Sequence, residues 1–287
     1  MEDRNKIDQF VSLYEFRETP GTIPESFSDL LESYSGIPKN HQLEHILKVR
    51  KEAYAVFPYP CLGAFIFFEL NLCTHPAYQE HVLNPLKQAC PDGAVEPLFL
   101  DLGSCFGQDL RKLVYDGARA SRIWASDIDP ELINLGFKLF KDEHKLPRDH
   151  FPCPGDLLSN SPEDKLRALD DKVTILHLSH VFHCFSPEEQ KVVINRCLRL
   201  LRKDTGQPVL VIGIQGGSAV PTAGVRGCTK YIHSEQSWKD LWDEVREGDV
   251  WKERIKALDV KSELRKLREG PETELGWLVF EVWITFV

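Results

Sequence analysis

The 287-residue sequence is poor in the features that mark several protein classes. No apolar run approaches the ~20 residues that a membrane span needs; the longest, residues 60–72, contains Gly63 and Glu69. The net charge of −9 provides no basic surface for a nucleic-acid backbone or an anionic membrane. No CxxC pair and no Cys/His cluster has the spacing of a zinc site. We therefore expect no nucleic acid, no membrane insertion and no metal.

The eight cysteines are scattered along the chain rather than gathered in a disulfide framework. Residues 1–6 are polar and lack the apolar core of a secretory signal. Because thiols stay reduced in the cytosol, the sequence predicts free cysteines and a cytoplasmic protein.

The spacing of apolar residues divides the chain into zones. Residues 1–95 carry helical spacing with no strong strand pattern, whereas residues 96–215 alternate short apolar strands with helices. Strands are predicted at 98–102, 122–127, 173–179 and 209–214, with a short one near Phe151. Helices are predicted at 63–70, 162–169 and about 234–256, among others. Apolar strands that alternate with helices are typical of a doubly wound parallel sheet covered on both faces. We therefore expect an N-terminal helical segment, 1–95, and an α/β core, 96–287.

The last zone, residues 216–287, ends in two strand-like stretches. These stretches, 258–267 and 276–287, are separated by the turn residues Gly270-Pro271-Glu272-Thr273, and the second alternates along its length. An antiparallel hairpin that closes a parallel sheet is unusual for NAD-type Rossmann domains. The pattern therefore disfavours a nicotinamide oxidoreductase.

The first chemical motif, residues 100–109, joins a strand to a helix through a glycine-bearing turn. Gly103 permits a positive φ and the close approach of a ligand, and Gly107 opens a helix with free N–H donors. Such donors hold a pyrophosphate in dinucleotide enzymes, but Asp101 at the strand end would repel a phosphate. A carboxylate there suits a cation, such as the amino group of a methionine moiety. The alternative is an ordinary βα turn.

Two further carboxylates follow strands. Asp127 closes the second strand, where it can accept two hydrogen bonds from a ribose diol. Asp129 precedes Pro130 and is predicted to cap the next helix. Asp156 follows the predicted third strand, where it can accept a hydrogen bond from an adenine amine while Leu157 packs on the ring. For Asp156 a common Gly-Asp turn is the alternative.

His180 and His183 follow the fourth strand, at the edge that lines the ligand crevice of a doubly wound sheet. Without a third ligand they do not make a convincing metal site. Either ring could act as a general base or bind the substrate, since histidine titrates near neutrality. Packing beneath a cofactor is the alternative.

In this order and spacing the motifs resemble the core of class I S-adenosylmethionine-dependent methyltransferases. The surrounding sequence is similar to fungal secondary-metabolite enzymes, in particular to carboxyl methyltransferases of meroterpenoid pathways. The similar stretches are residues 13–17, 49–54, 58–63, 101–113, 116–118, 135–140 and 218–222. One departure is Cys105, which stands where the usual Gly-x-Gly-x-Gly turn has its middle glycine. This predicts a slightly different backbone path.

The resemblance implies a Rossmann-like, mostly parallel seven-stranded sheet with a C-terminal hairpin, an N-terminal helical lid and S-adenosylmethionine as the cofactor. The residues expected to bind the cofactor are Tyr14, Asp101, Gly103, Ser104, Gly107, Gln108, Asp127, Ile128, Asp156, Leu157 and His180. The expected substrate residues are Arg17, whose guanidinium can pair with a carboxylate, and Phe182 and Trp238 in an apolar pocket. A homodimer through the lid stays open.

The expected reaction is methyl transfer to a small hydrophobic secondary metabolite, with a carboxylate becoming a methyl ester in terpenoid or meroterpenoid biosynthesis. Because a carboxylate is already nucleophilic at neutral pH, alignment of the reactants would be the main task. A phenol acceptor would instead need a base, for which His180 and His183 are the candidates. Two other interpretations stay open: a cyclase or isomerase that keeps the fold without methyl transfer, and a regulatory scaffold.

Overall fold

The computed structural model of the chain describes residues 15–91, 93–223, 229–266 and 275–287. Within these ranges the strands are β1 Phe99–Leu102, β2 Ile123–Ser126, β3 Ile175–Ser179, β4 Val209–Ser218, β5 Thr222–Ala223, β6 Tyr231–Ile232, β7 Ile255–Lys266 and β8 Leu275–Phe286. Six of them form one sheet in the order β2-β1-β3-β4-β8-β7, and β5 pairs with β6. The first four are parallel, whereas β8 runs antiparallel to β4 and β7. This confirms the α/β fold with a C-terminal hairpin.

The α-helices in the described residues are α1 Glu25–Asp29, α2 Lys39–Val56, α3 Pro60–Gly63, α4 Asn84–Lys87, α5 Gln108–Tyr115, α6 Pro130–Phe140, α7 Pro187–Leu200 and α8 Glu235–Glu247. The predicted cap of α6 is confirmed, since Asp129 Oδ1 accepts a hydrogen bond from Glu131 N at 2.9 Å. Ser186 and Glu189 form a capping box at the start of α7. Within the described ranges, no helix is both long and apolar enough to cross a bilayer.

The strand predicted near Phe151 is not formed, so the sheet has six strands in the described residues rather than seven. The segment still runs beside the end of β2, where Ser126 Oγ donates to Pro152 O at 2.5 Å and Gly155 N donates to Asp127 O at 2.8 Å. Pro152 and Pro154 have no N–H group, and two missing donors prevent a continuous ladder.

Three predicted helices are shorter than expected. The stretch 63–70 forms only the end of α3 and a 3-10 turn at Ile66–Phe68, because Phe65 adopts a left-handed φ of 61° that breaks the helix. Residues 162–169 make a 3-10 turn at Lys165–Leu169. Helix α8 ends at Glu247, before the extended Gly248, rather than near residue 256.

An aromatic cluster joins the N-terminal segment to the core. Phe67 packs edge-on against Phe106 of the turn after β1, with ring centroids 5.0 Å apart. Phe27 packs against Phe140 of α6 in the same way, at 6.1 Å. All four rings are buried, and burying such a side chain stabilises a fold by about 1.5–3 kcal/mol. The N-terminal segment is therefore held against α6 and the turn after β1.

A buried ion pair strengthens the same contact. Arg111 of α5 binds both carboxylate oxygens of Asp142, with Nε–Oδ2 and Nη2–Oδ1 distances of 2.9 and 3.2 Å. Tyr34, from the N-terminal segment, donates its hydroxyl to Asp142 Oδ2 at 2.8 Å. Arg111 Nη1 also donates to Phe106 O at 2.9 Å, so the network reaches the turn after β1.

Candidate functional site

A cavity of about 560 Å³ lies at the carboxyl ends of β1, β2 and β3, the edge where doubly wound sheets bind ligands. The N-terminal segment forms the facing wall with Tyr59, Pro60, Cys61, Ile66, Phe67 and Asn71. Nine of the residues expected to bind the cofactor line the cavity: Asp101, Gly103, Ser104, Gln108, Asp127, Ile128, Asp156, Leu157 and His180.

Of the other expected cofactor residues, Gly107 is not among those that line the cavity. Gly107 is the N-cap of α5 with φ of 64°, and a Cβ there would come within 2.4 Å of Arg111 Nη1. The absence of a side chain at Gly107 lets the turn pass close to the Arg111 guanidinium group. Tyr14 lies outside the described residues, although its neighbour Glu15 lines the cavity.

Besides Gly107, the turn after β1 has a left-handed backbone at two more positions. Gly103 has φ of 70°, and a Cβ there would lie 2.6 Å from Val181 Cγ2. Cys105, at the place of the expected middle glycine, has φ of 51°. The left-handed region is the one that glycine favours. The turn thus keeps a glycine-like conformation at Cys105, in contrast to the different path predicted there.

Asp127 is buried at the end of β2 and holds the turn in place. Its Oδ2 accepts a hydrogen bond from Cys105 N at 2.8 Å, and its Oδ1 accepts one from Asp129 N at 3.2 Å. Burial raises the pKa of Asp127 to about 6. The carboxylate still lines the cavity, so it can accept further hydrogen bonds from a ligand.

Asp101 has a partner that the sequence did not indicate. It is the register neighbour of His177 on β3, and Asp101 Oδ1 lies 2.7 Å from His177 Nδ1. His177 Nε2 lies 2.7 Å from Ser179 Oγ, and all three residues line the cavity. Burial opposes a charge on His177, but the Asp101 carboxylate raises its pKa above the ordinary value. The one signal in the sequence is a histidine inside an otherwise apolar strand.

His180 and His183 both line the cavity, with ring centroids 6.0 Å apart. Burial lowers the pKa of His180 to about 3 and that of His183 to about 4, so both rings are neutral at pH 7. His180 Nε2 lies 3.2 Å from Asn71 Nδ2, and His183 Nδ1 accepts a hydrogen bond from Gly216 N at 3.4 Å. Asn71 is a second site residue that sequence reasoning missed.

The three expected substrate residues are not on the cavity wall. Phe182 and Trp238 are 0% exposed and pack on each other in the core, with ring centroids 4.8 Å apart. Both also contact Phe280 of β8, so they lie behind the site. Arg17 is exposed and is tied down by its backbone, which hydrogen-bonds with Gly63 and Arg50. The apolar wall is instead formed by Pro60, Ile66, Phe67, Leu132, Leu157, Val181 and Phe185.

Comparison with known proteins identifies the family. Residues 13–68 match the model of the meroterpenoid methyltransferase N-terminal domain. The chain is 34% identical over 278 residues to the O-methyltransferase atr3 of Stereocaulon alpinum. The alignment covers 93% of this chain and 75% of that protein. The chain belongs to the methyltransferase family of this relative. It is also 35% identical over 239 residues to the methyltransferase trt5 of Aspergillus terreus, covering 80% of this chain and 79% of that protein.

The fold of this methyltransferase agrees with its family. The crystal structure of the CurJ carbon methyltransferase superposes with a TM-score of 0.52 at 11% identity, over 98% of this chain and 71% of that one. At that identity the likeness concerns the fold alone. S-adenosylmethionine is the methyl donor that the sequence predicts for this enzyme.

The cavity wall of the methyltransferase fits that cofactor. Within the described residues, Ser104 Oγ, Gln108 Oε1 and His180 Nδ1 are buried in the wall without a hydrogen-bond partner. Buried polar atoms of this kind are normally satisfied, so they indicate a polar ligand. The carboxyl groups of Asp101 and Asp127 suit the ammonium and the ribose hydroxyls of S-adenosylmethionine.

Proposed function

We propose that this enzyme methylates a carboxylate oxygen of a small hydrophobic metabolite, of the terpenoid or meroterpenoid class, to give a methyl ester. The observation that carries the proposal is the neutrality of His180 and His183, whose pKa values burial lowers to about 3 and about 4. The match of residues 13–68 to a meroterpenoid methyltransferase domain supports the substrate class.

The two histidines are poor bases for a phenol. A general base works best when its pKa lies near the working pH, and these rings hold a proton only under strongly acidic conditions. His177 is also unsuited, since both of its ring nitrogens are already engaged, Nδ1 with Asp101 and Nε2 with Ser179. A carboxylate acceptor is ionised at neutral pH and needs no base. Neutral histidines are therefore compatible with ester formation.

We infer the following placement of the cofactor. Asp101 binds the ammonium of the methionine part, Asp127 the ribose hydroxyls and Asp156 the adenine amine, with Leu157 against the adenine ring. Gly103, Ser104, Gln108 and Ile128 complete this part of the wall, which all eight residues line. When bound, S-adenosylmethionine supplies a methyl group on a positively charged sulfur.

The acceptor carboxylate would be held by neutral donors. Among the described residues that line the cavity, none is lysine or arginine. Asn71, His180 and Tyr59 line the wall with N–H or O–H groups, and burial raises the pKa of Tyr59 to about 12, so that it keeps its proton. Arg17, Phe182 and Trp238 do not enter the proposal because none of them lines the cavity.

We infer that residues 1–95 act as a lid on the α/β core, 96–287. Tyr59 and Phe67 of this segment face the strand ends across the cavity. An apolar cover excludes water and holds a hydrophobic acceptor beside the donor, which favours transfer by alignment.

The cytoplasm is the location that we infer. All seven cysteines in the described ranges are free thiols, as expected in a reducing compartment. Microscopy of a fluorescent fusion in a fungal host tests this, and an organelle or cell-surface signal would contradict it.

The reaction is tested with methyl-labelled S-adenosylmethionine and a panel of terpenoid and aromatic acids, each paired with the analogue in which an alcohol or phenol replaces the carboxyl. We expect label in the acids only, and mild alkali should release it as methanol, since esters hydrolyse where ethers do not. Alkali-stable label would identify a phenol or alcohol methyltransferase. An acceptor that rearranges without gaining label would identify a cyclase or isomerase.

A further inference from the structure

Asp101 contacts His177 through its carboxyl group and also lines the cavity. His177 Nδ1 lies 2.7 Å from Asp101 Oδ1, and His177 is only 1% exposed. His177 Nε2 continues to Ser179 Oγ at 2.7 Å, so a hydrogen-bonded chain links the buried ion pair to the cavity.

Few other charges face His177. Asp109 approaches from α5, and burial raises its pKa to about 6. His75, from the segment before α4, is held by Phe280 O at 3.2 Å, and burial lowers its pKa to about 4. His180 follows β3 and is neutral for the same reason. Near neutral pH the charges at this point are therefore those of Asp101, His177 and the partly ionised Asp109.

We propose that His177 is a positioning residue for the cofactor and that it gives up its proton when the ammonium group of the cofactor binds to Asp101. The proposal rests on the cofactor placement inferred above but not on the acceptor. Two cations within hydrogen-bond reach of one buried carboxylate repel each other strongly, because the surroundings screen charge less than water does. The more weakly held proton leaves, and Asp101 keeps one cationic partner.

The proton that His177 gives up leaves from Nε2. In the charged form His177 donates from Nδ1 to Asp101 and from Nε2 to Ser179. After Nε2 loses its proton to the buffer, Ser179 Oγ turns and donates its own hydrogen to Nε2. The contact at Nδ1 is unchanged, so His177 continues to orient Asp101 as a neutral ring.

Proton linkage determines the direction in which ligand affinity changes with pH. A ligand whose binding expels a proton binds more tightly as pH rises, by at most about tenfold per pH unit. The gain occurs between the pKa of His177 in the complex and its raised pKa in the free enzyme, and it levels off above both.

Calorimetry at neutral pH, in two buffers of different ionisation enthalpy, counts the protons released. The probe is S-adenosylhomocysteine. The matched ligand is 5′-methylthioadenosine, which lacks the ammonium-bearing part of the probe. We expect about half a proton to one proton for the first ligand, and none for the second. Equal release by both ligands, or none by S-adenosylhomocysteine, would overturn the proposal.

Variants identify the group that titrates. In His177→Asn we expect release to disappear and affinity to lose its rise with pH above neutrality, whereas Asp109→Asn should still release the proton. His45→Gln is the matched control, since this partly buried ring lies at Leu139, away from the site. Loss of release in Asp109→Asn with retention in His177→Asn would refute the assignment. If His177→Asn does not fold, the pair of ligands on the wild-type enzyme decides.

These measurements need no methyl acceptor. Failure to form a methyl ester would therefore leave the proton count intact, and a zero count would leave the proposed reaction intact.

Discussion

Replacing Arg111 tests how the N-terminal segment is held to the cofactor turn. Arg111→Met keeps the length of the side chain but removes its charge, and Asp142, which is 0% exposed, then loses two charged hydrogen bonds. Breaking a buried ion pair by removing one partner costs about 3–5 kcal/mol. Phe106 O also loses its hydrogen bond from Arg111 Nη1.

The predicted loss is a large share of the ~5–15 kcal/mol that stabilises a typical domain. Urea unfolding followed by circular dichroism would measure it. Arg148→Met is the matched control, because the guanidinium groups of Arg111 and Arg148 both lie over the Phe137 ring. Unlike Arg111, Arg148 is exposed, and its ion pair with Glu143 is worth about 1 kcal/mol or less. If Arg111→Met costs no more than this control, the reasoning is refuted.

A second substitution separates charge from packing. Adding Asp142→Asn to Arg111→Met removes the stranded charge while an amide oxygen remains for the Tyr34 hydroxyl. We expect the double variant to recover at least about half of the lost stability, since the unpaired charge is the main cost. The turn at Phe106 should stay loosened, so S-adenosylhomocysteine should bind more weakly than to wild type in both variants.

Three further outcomes are expected. Gly136→Ala would place a Cβ 2.5 Å from Phe106 O, so the free energy of unfolding measured in urea should fall by about 1–3 kcal/mol. In the control Gly21→Ala the new Cβ meets nothing within 4 Å, so the free energy of unfolding should change little. Asp127→Asn should weaken S-adenosylhomocysteine binding about tenfold or more, because charged acceptors bind about twice as strongly as neutral ones; unchanged calorimetric affinity would remove Asp127 from the ribose site. With saturating cofactor, kcat should stay flat from about pH 6.5 to 8.5, because His180 and His183 remain neutral. A rate that rises with pH would indicate a base and a phenol acceptor.

Much of the site could be predicted because its signals are local. The apolar strands, the glycine turn after β1 and the caps of α6 and α7 depend on residues a few positions apart. Asp127 was recognisable because it ends a strand just where the sheet edge must lie. The absence of the strand near Phe151 was also encoded locally, in Pro152 and Pro154, although the alternation of strands and helices favoured a strand there.

What the sequence by itself determined is the order of the strands and helices, the closing hairpin and the carboxylates at the strand ends, since backbone preference and hydrophobic pattern act over short distances. Only the tertiary structure decided the partners. Asp101 and His177 are 76 residues apart and meet through strand register. Phe182 and Trp238 face the core rather than the ligand because β8 packs behind them. The charge states of the histidines follow from burial, which no local pattern of residues determines.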